Sequence, residues 1–143
     1  MSPVEVEVIR RKLATIVGDL KALEPIGVMG KEDYIEDFYK RKATERLLQE
    51  LIEAAIDINV HLIMEAGHTP PDDYYESFVK MGELGIISSD LADKLAPSAG
   101  LRNRLVHEYD MLDHAVVLKA VATAEEMFSK YVKEINDYLS KEM

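Results

Sequence analysis

Apolar residues recur at three- and four-residue intervals along most of the chain, and this periodicity restricts the possible folds more than any other feature. The first such run consists of Val6, Ile9, Leu13, Ile16, Leu20 and Leu23, and the last of Val117, Ala120, Val121, Ala124, Met127, Phe128, Tyr131, Ile135 and Tyr138. This spacing places the apolar side chains on one face of an α-helix. No segment shows the alternation typical of a β-strand. The sequence therefore predicts an all-α helix bundle of about five to six helices.

The boundaries of the predicted helices follow from capping residues, prolines and glycines. Ser2 and Glu5 form a capping box around Pro3, and Pro25 is expected to end the first helix. The remaining helices are predicted over about 31–66, from Asp72 or Asp73 to about 81, from Ser88 or Ser89 to before 97, over 99 to about 110, and as a last long helix that starts near 114. The whole chain, 1–143, is expected to form one domain, since its length is typical of one.

Several functional classes are disfavoured by composition. The chain has no cysteine, which excludes disulfides and thiolate-bound metals. It shows neither a secretory signal nor an apolar run of about 20 residues, so a cytoplasmic protein without a membrane segment is expected. A net charge of −10 argues against general electrostatic coating of nucleic acid. A local basic cleft remains possible, because cations cluster at Arg10-Arg11-Lys12, at Lys40-Arg41-Lys42 with Arg46, and at Arg102 with Arg104.

The second predicted helix has an unusually wide apolar face. Its apolar residues, from Leu47 to Ile63, occupy about 200° of a helical wheel, whereas a helix with one buried face needs about half of that. Either this is the central helix of the bundle, with neighbours on two sides, or part of the face lies between two subunits. The wheel alone does not separate these two explanations.

Few residues suit catalysis or metal binding. His61, Glu65 and His68 have a spacing that two imidazoles and a carboxylate could use to bind zinc, but Gly67 is expected to end the helix before His68. No metal and no cofactor are therefore predicted. His114 is interpreted as an ordinary residue at the start of the last helix.

The segment from Gly100 to Tyr109 is the best candidate site. Leu101, Leu105 and Leu112 share a narrow arc of the wheel and are expected to be buried. Arg102, Asn103, Val106, His107, Tyr109 and Asp110 fill a separate arc. Arg102 and His107 lie five residues apart, about 7.5 Å along a helix axis, so their side chains could bracket one phosphodiester. An arginine and a histidine on a solvated face would show the same spacing.

The run Arg102-Asn103-Arg104-Leu105-Val106-His107-Glu108-Tyr109 resembles the signature of the HepT branch of the HEPN superfamily. That signature has an arginine, an adjacent polar residue, a histidine five positions on and a tyrosine two further. The segment 42–58 is similar to the long second helix of the family, and 74–78 and 85–87 are similar to a short helix and turn of the family. The resemblance covers the chain from about residue 35 onward.

This resemblance implies a homodimeric, metal-independent ribonuclease toxin of a toxin–antitoxin pair. The signatures of two protomers would form one composite cleft, in which His107 acts as base or acid and Arg102 stabilises the transferring phosphoryl group. Asn103 would orient the imidazole or the phosphate, and Arg104 would add positive charge. The implied antitoxin is a minimal nucleotidyltransferase that adenylylates Tyr109, which the wheel places within about 20° of Arg102. The alternative is a non-catalytic helical partner that regulates such a nucleotidyltransferase. The net charge of −10 favours this alternative. A plain helical dimerisation scaffold is a third interpretation.

Overall fold

Every regular element of residues 1–142, the part of the chain that the computed structural model describes, is a helix. The elements are α1 (Pro3–Gly27), α2 (Lys31–Glu36), α3 (Phe38–Glu65), α4 (Tyr74–Glu83), α5 (Ser89–Leu95), α6 (Ser98–His107), a 3-10 turn (Tyr109–Met111) and α7 (His114–Glu142). The predicted all-α class is confirmed. Across the same residues, no helix has the length and apolar character that a membrane crossing requires.

Three predicted helix starts are confirmed by side chains that cap free backbone N–H groups. At α1 the Ser2 Oγ accepts from the amide of Glu5 at 3.2 Å, and the amide of Ser2 donates back to Glu5 Oε2 at 2.8 Å. At α4 the Asp73 carboxylate accepts from the amide of Glu76, and at α5 the Ser88 hydroxyl accepts from the amide of Leu91. These starts are predictable because the capping interactions span only three residues.

The predicted end of α1 at Pro25 is wrong, because the helix continues to Gly27. A proline removes one backbone hydrogen bond. Only two residues of α1 follow Pro25, so few other helical hydrogen bonds are affected. Ile26 is buried in the core, so packing holds the last turn in place.

The helix predicted over 31–66 is divided at Asp37. This residue has an extended backbone, with φ −97° and ψ 94°, and its carboxylate accepts from the amide of Lys40 at 2.9 Å. Asp37 therefore ends α2 and caps α3. The resulting bend places Tyr34 in the core, where none of its surface is exposed.

The central element of the bundle is α3, which packs against α1, α2, α4, α6 and α7. Of the apolar residues from Leu47 to Ile63 that form its wide face, all but Leu47 and Val60 are buried, and these two are partly buried against the core. The wide apolar face is therefore covered within one chain. It needs no second subunit, and the first of the two explanations is confirmed.

A buried polar network fixes α4 and α7 against α3. The hydroxyl of Tyr131 lies 2.6 Å from Asn59 Oδ1 and 3.0 Å from the carbonyl oxygen of Ala55. The amide nitrogen of Asn59 donates to Ser77 Oγ at 3.2 Å, and Ser77 Oγ donates to the carbonyl oxygen of Tyr74 at 2.7 Å. Buried polar groups that are all paired specify one arrangement of helices. The network thereby sets the position of Tyr74, the first residue of α4.

The helix predicted over 99 to about 110 ends earlier than expected, at His107. Glu108 leaves the helical region with φ −129° and ψ 31°, and Tyr109–Met111 form a separate 3-10 turn. Tyr109 and Asp110 are therefore not on α6. The placement of Tyr109 close to Arg102 on a continuous helical wheel is wrong for that reason.

Candidate functional site

Arg102 on α6 is held by three neighbouring side chains. Its Nε donates to Glu53 Oε2 at 2.9 Å, and its Nη1 donates to Asn103 Oδ1 at 3.2 Å. Its guanidinium carbon lies 5.0 Å from the centroid of the Tyr74 ring, a cation–π contact. The Arg102 side chain is 17% exposed, so most of it is covered while part of the guanidinium still faces solvent.

The contact with Glu53 leaves part of the guanidinium available. Arginine has five N–H donors in a planar fork, and Glu53 and Asn103 each use one of them. The two donors of Nη2 and one of Nη1 make no hydrogen bond in the described part of the chain. Adjacent guanidinium donors match the oxygens of a phosphate group, so this edge suits bidentate phosphate binding.

Glu53 was not singled out from the sequence. It lies on α3, and its Oε2 also accepts from Gln49 Nε2 at 3.3 Å, which steadies the carboxylate. The four-residue spacing predicts that Gln49 lies beside Glu53 on one helix face. Nothing in the sequence links either residue to Arg102, which is 49 positions from Glu53. Tyr74 was noted only as part of a short helix, and its contact with Arg102 also depends on tertiary packing.

His107 is the last residue of α6 and is exposed to solvent. Within residues 1–142 it makes no hydrogen bond or ion pair, so both ring nitrogens are accessible. Arg102 and His107 share one short helix but do not contact each other. One protomer thus presents a restrained arginine and a free imidazole about 7.5 Å apart along the helix axis.

The two supporting residues occupy different positions. Asn103 contacts Arg102 rather than His107, so it orients the guanidinium and not the imidazole. Arg104 lies about 200° around the helix from Arg102. It lines a separate cavity of about 250 Å³ with Glu108, Met111 and other residues. The structure does not bring Arg104 beside Arg102.

Tyr109 lies in the 3-10 turn that follows α6 and is 60% exposed. It is two residues from His107, at the same end of the helix. Its hydroxyl is therefore accessible to another protein. Tyr109 lies in a turn, and not on the predicted continuation of α6.

His114 has a structural role that the sequence interpretation missed. Its Nε2 lies 3.0 Å from Arg41 Nη1. A guanidinium only donates, so Nε2 is the acceptor in this contact. Asp113, not His114, caps α7, because its carboxylate accepts from the amides of Ala115 and Val116. The contact between His114 and Arg41 ties the segment after the signature to α3.

The residues considered for zinc are engaged elsewhere. His61 Nε2 lies 3.5 Å from Glu5 Oε1, and Glu65 Oε1 lies 3.5 Å from the N-terminal amine. In the described residues, no three histidine, cysteine, aspartate or glutamate side chains are grouped so that they could hold a metal ion.

Comparison with known proteins gives consistent matches over most of the chain. A family model described as "Ribonuclease HepT-like" matches residues 16–135. The chain is 38% identical over 139 residues to "tRNA nuclease HepT" of Aphanizomenon flos-aquae, covering 97% of this chain and 95% of that protein. It is 29% identical over 129 residues to "mRNA nuclease HepT" of Shewanella oneidensis, covering 90% and 96%.

A solved structure gives a similar result. The tri-AMPylated Shewanella oneidensis HEPN toxin, solved in complex with its MNT antitoxin, superposes with a TM-score of 0.82 at 27% sequence identity. The alignment covers 96% of this chain and 99% of that one. The helical arrangement described above is therefore that of this toxin.

Proposed function

The chain belongs to the ribonuclease HepT-like family, and on this premise we propose that it is the endoribonuclease toxin of a toxin–antitoxin pair, acting without a metal through Arg102 and His107. The observation that carries the proposal is the restrained guanidinium of Arg102, which presents a free donor edge at the helix that also carries His107.

The chemistry of RNA cleavage assigns a role to each residue. Attack of the 2′-hydroxyl on the adjacent phosphorus needs a base for the hydroxyl proton and an acid for the departing 5′-oxygen. An imidazole serves either purpose near neutral pH. The pentacoordinate phosphoryl group gains negative charge, which the Nη donors of Arg102 stabilise. Because Glu53, Asn103 and Tyr74 already hold this side chain, little reorganisation accompanies the reaction.

A homodimer supplies what one chain lacks. The base and the acid act on opposite sides of the phosphorus, and each protomer offers one histidine in its signature. We place the two signatures in one composite cleft, so that His107 of one protomer acts as base and His107 of its partner as acid. The wide apolar face of α3 is covered within the chain, so it gives no support for this dimer. The support comes from the need for a second imidazole.

The partner we propose is a nucleotidyltransferase antitoxin. The similar Shewanella oneidensis toxin is AMPylated and bound to an MNT antitoxin. In this chain Tyr109 is exposed and lies two residues beyond His107, so an adenylyl group on its hydroxyl would place a phosphodiester anion at the mouth of the cleft, where it would compete with substrate. Both the RNA substrate and this partner point to the cytoplasm as the place of action.

Cleavage of defined RNAs by purified protein tests the proposal. His107→Ala and Arg102→Ala are each expected to abolish cleavage, while His68→Ala and Arg11→Ala, which change exposed residues on other helices or loops, are expected to retain it. Wild-type activity should survive EDTA. Activity that requires added magnesium, or that persists without His107, would contradict the mechanism.

The second candidate is a non-catalytic regulator of the nucleotidyltransferase. The net charge of −10 favours it, as does the pairing of Arg102 with Glu53, which already neutralises part of the guanidinium charge. A wild-type protein that binds the nucleotidyltransferase but cleaves no RNA would favour this role.

A further inference from the structure

One face of α3 carries a row of side chains that leads away from Arg102. The row consists of Tyr39, Lys42, Arg46, Gln49 and Glu53, at alternating spacings of three and four residues. On a helical wheel, all of them lie within about 40° of Glu53, the residue that binds Arg102. The α3 row therefore runs straight along the helix for about 21 Å, from the Arg102 contact to the N-terminus of α3.

The α3 row lies at the surface rather than in the core. Tyr39 is 83% exposed, and the side chains of Lys42 and Arg46 are 45% and 63% exposed. The buried residues of α3, such as Leu51, Ala55 and Leu62, lie on other faces of the helix. The row is thus open to a ligand along most of its length.

Each of the two cations of the row has an acidic partner on α3 at 3.5 Å. Lys42 Nζ lies 3.5 Å from Glu45 Oε1, and Arg46 Nη2 lies 3.5 Å from Glu50 Oε2. The Arg46–Glu50 pair is exposed, and exposed pairs contribute little to stability and exchange readily with other anions. In the other pair, Lys42 is exposed while Glu45 is nearly buried. Beside Arg46, burial and the neighbouring Glu50 raise the pKa of Asp19 to about 7. Asp19 is therefore partly protonated near neutral pH, which reduces the negative charge next to Arg46.

Exposed aromatic rings stand at the far end of the row. Phe38 is 54% exposed, and its ring centroid lies 5.7 Å from that of Tyr39 in an edge-to-face arrangement. The cationic groups of Arg41 and Lys42 each lie 5.7 Å from the centre of the Phe38 ring. Exposed aromatic rings flanked by cations are a common means of binding single-stranded nucleic acid, because bases stack on the rings while the cations bind phosphates.

We propose that the α3 row binds the single-stranded part of the RNA substrate on one side of the cleavage position. Lys42 and Arg46 contact phosphates, and Tyr39 stacks against a base about 21 Å from Glu53. This inference rests on the proposed function for the location of the cleaved phosphodiester at Arg102. Lys42 and Arg46 would supply local positive charge for RNA in a chain whose net charge is −10.

Direct binding tests the cationic part of the row. The probe is a fluorescein-labelled single-stranded RNA of about 12 nucleotides with every 2′-hydroxyl methylated, so that it cannot be cleaved, and anisotropy reports the Kd. The Lys42→Gln/Arg46→Gln double variant is expected to bind about tenfold more weakly at low salt. Its slope of log Kd against log salt should fall by about 1.4, since each phosphate contact on a single strand contributes about 0.7.

A matched control separates local contacts from net charge. Arg11→Gln/Lys130→Gln removes the same two charges from exposed pairs with Glu7 and Glu126 on α1 and α7. This control should bind the probe with the affinity and salt slope of the wild type. Equal weakening by both double variants would mean that only the net charge matters, and it would overturn the proposal.

Tyr39 gives an independent test of stacking. Tyr39→Phe keeps the ring and should bind the probe like the wild type, whereas Tyr39→Leu should weaken binding about fivefold or more without changing the salt slope. Both variants should melt at the wild-type temperature, because the side chain is exposed.

The possible results distinguish the two proposals. If the wild type cleaves RNA and the row variants bind the probe normally, the α3 row is not an RNA-binding surface. The proposed function would then remain intact. Absence of cleavage by the wild type, together with weakened probe binding by the row variants, would refute the nuclease and keep the row as an RNA-binding surface. Row variants that lose the nucleotidyltransferase but keep the probe would identify a protein-docking face instead, and would also overturn the proposal.

Discussion

Arg102 Nε donates to Glu53 Oε2 at 2.9 Å, across 49 positions of the sequence. This ion pair joins α6 to α3 through Nε, and neither Nη atom donates to Glu53. It also restrains a long side chain before any substrate arrives, and the Tyr74 ring supports the guanidinium from one face. A catalytic arginine benefits from such restraint, because small displacements of a reacting group reduce the rate strongly.

Removal of the Glu53 carboxylate is expected to lower the rate of RNA cleavage strongly and the melting temperature only slightly. Glu53→Ala should reduce kcat for RNA cleavage by about tenfold to a hundredfold, because Arg102 loses the partner that sets its orientation. Glu53→Gln retains an acceptor for Nε and should keep part of the activity. Single-turnover cleavage and thermal melting measure the two effects. A loss of activity that merely follows a loss of folded protein, or equal rates for both variants and wild type, would remove Glu53 from this role.

Tyr109 is expected to gain adenylyl groups when the protein is expressed with its nucleotidyltransferase. Intact-mass measurement should show the increase for the wild type and for Tyr75→Phe, in which another exposed tyrosine is changed. Tyr109→Phe should show no increase and should stay active in the presence of the partner. If Tyr109→Phe remains fully neutralised, control is by complex formation and not by modification.

Sedimentation at micromolar concentration should report about twice the chain mass of 16.2 kDa. The composite cleft requires this, because one protomer offers only one histidine in the signature. Cleavage activity should fall with dilution in parallel with the dimer fraction. A strictly monomeric protein with full activity would rule out the two-histidine mechanism.

Stability is expected to depend on the protonation of Asp19. Burial, together with the neighbouring Glu50, raises its pKa from 3.8 to about 7 in the folded state. A carboxyl with a raised pKa favours folding while it is protonated, and this contribution is lost as the pH rises from about 4 towards 7. Asp19→Asn mimics the protonated form. It should therefore raise the free energy of unfolding relative to wild type more at pH 8 than at pH 5.

Urea unfolding at the two pH values measures this difference. Asp93→Asn, a change at an exposed position on α5, serves as the control and should have the same small effect at both. An Asp19→Asn effect that does not change with pH would show that the carboxyl is not protonated preferentially in the folded state.

Local interactions account for what the sequence predicted well. The helical class follows from the apolar period, and the starts of α1, α4 and α5 follow from capping side chains three residues from the amides they bind. The signature around Arg102 and His107 is likewise contained in one short segment. All of these depend on residues within about one or two helical turns of each other. The interacting residues are therefore neighbours in the sequence and can be recognised from it.

The sequence alone therefore determined the all-α class, the capped helix starts and the segment that carries the candidate catalytic pair. Tertiary structure decided where α1 and α6 end, that Glu53 and Tyr74 hold Arg102, and that His114 binds Arg41. Burial of Ile26 carries α1 past Pro25, and the path of the chain into α7 takes Tyr109 off α6. The physical reason is the same in each case: a contact between residues distant in sequence depends on how whole helices pack, and the energy of that packing outweighs the weak local preferences that a sequence displays.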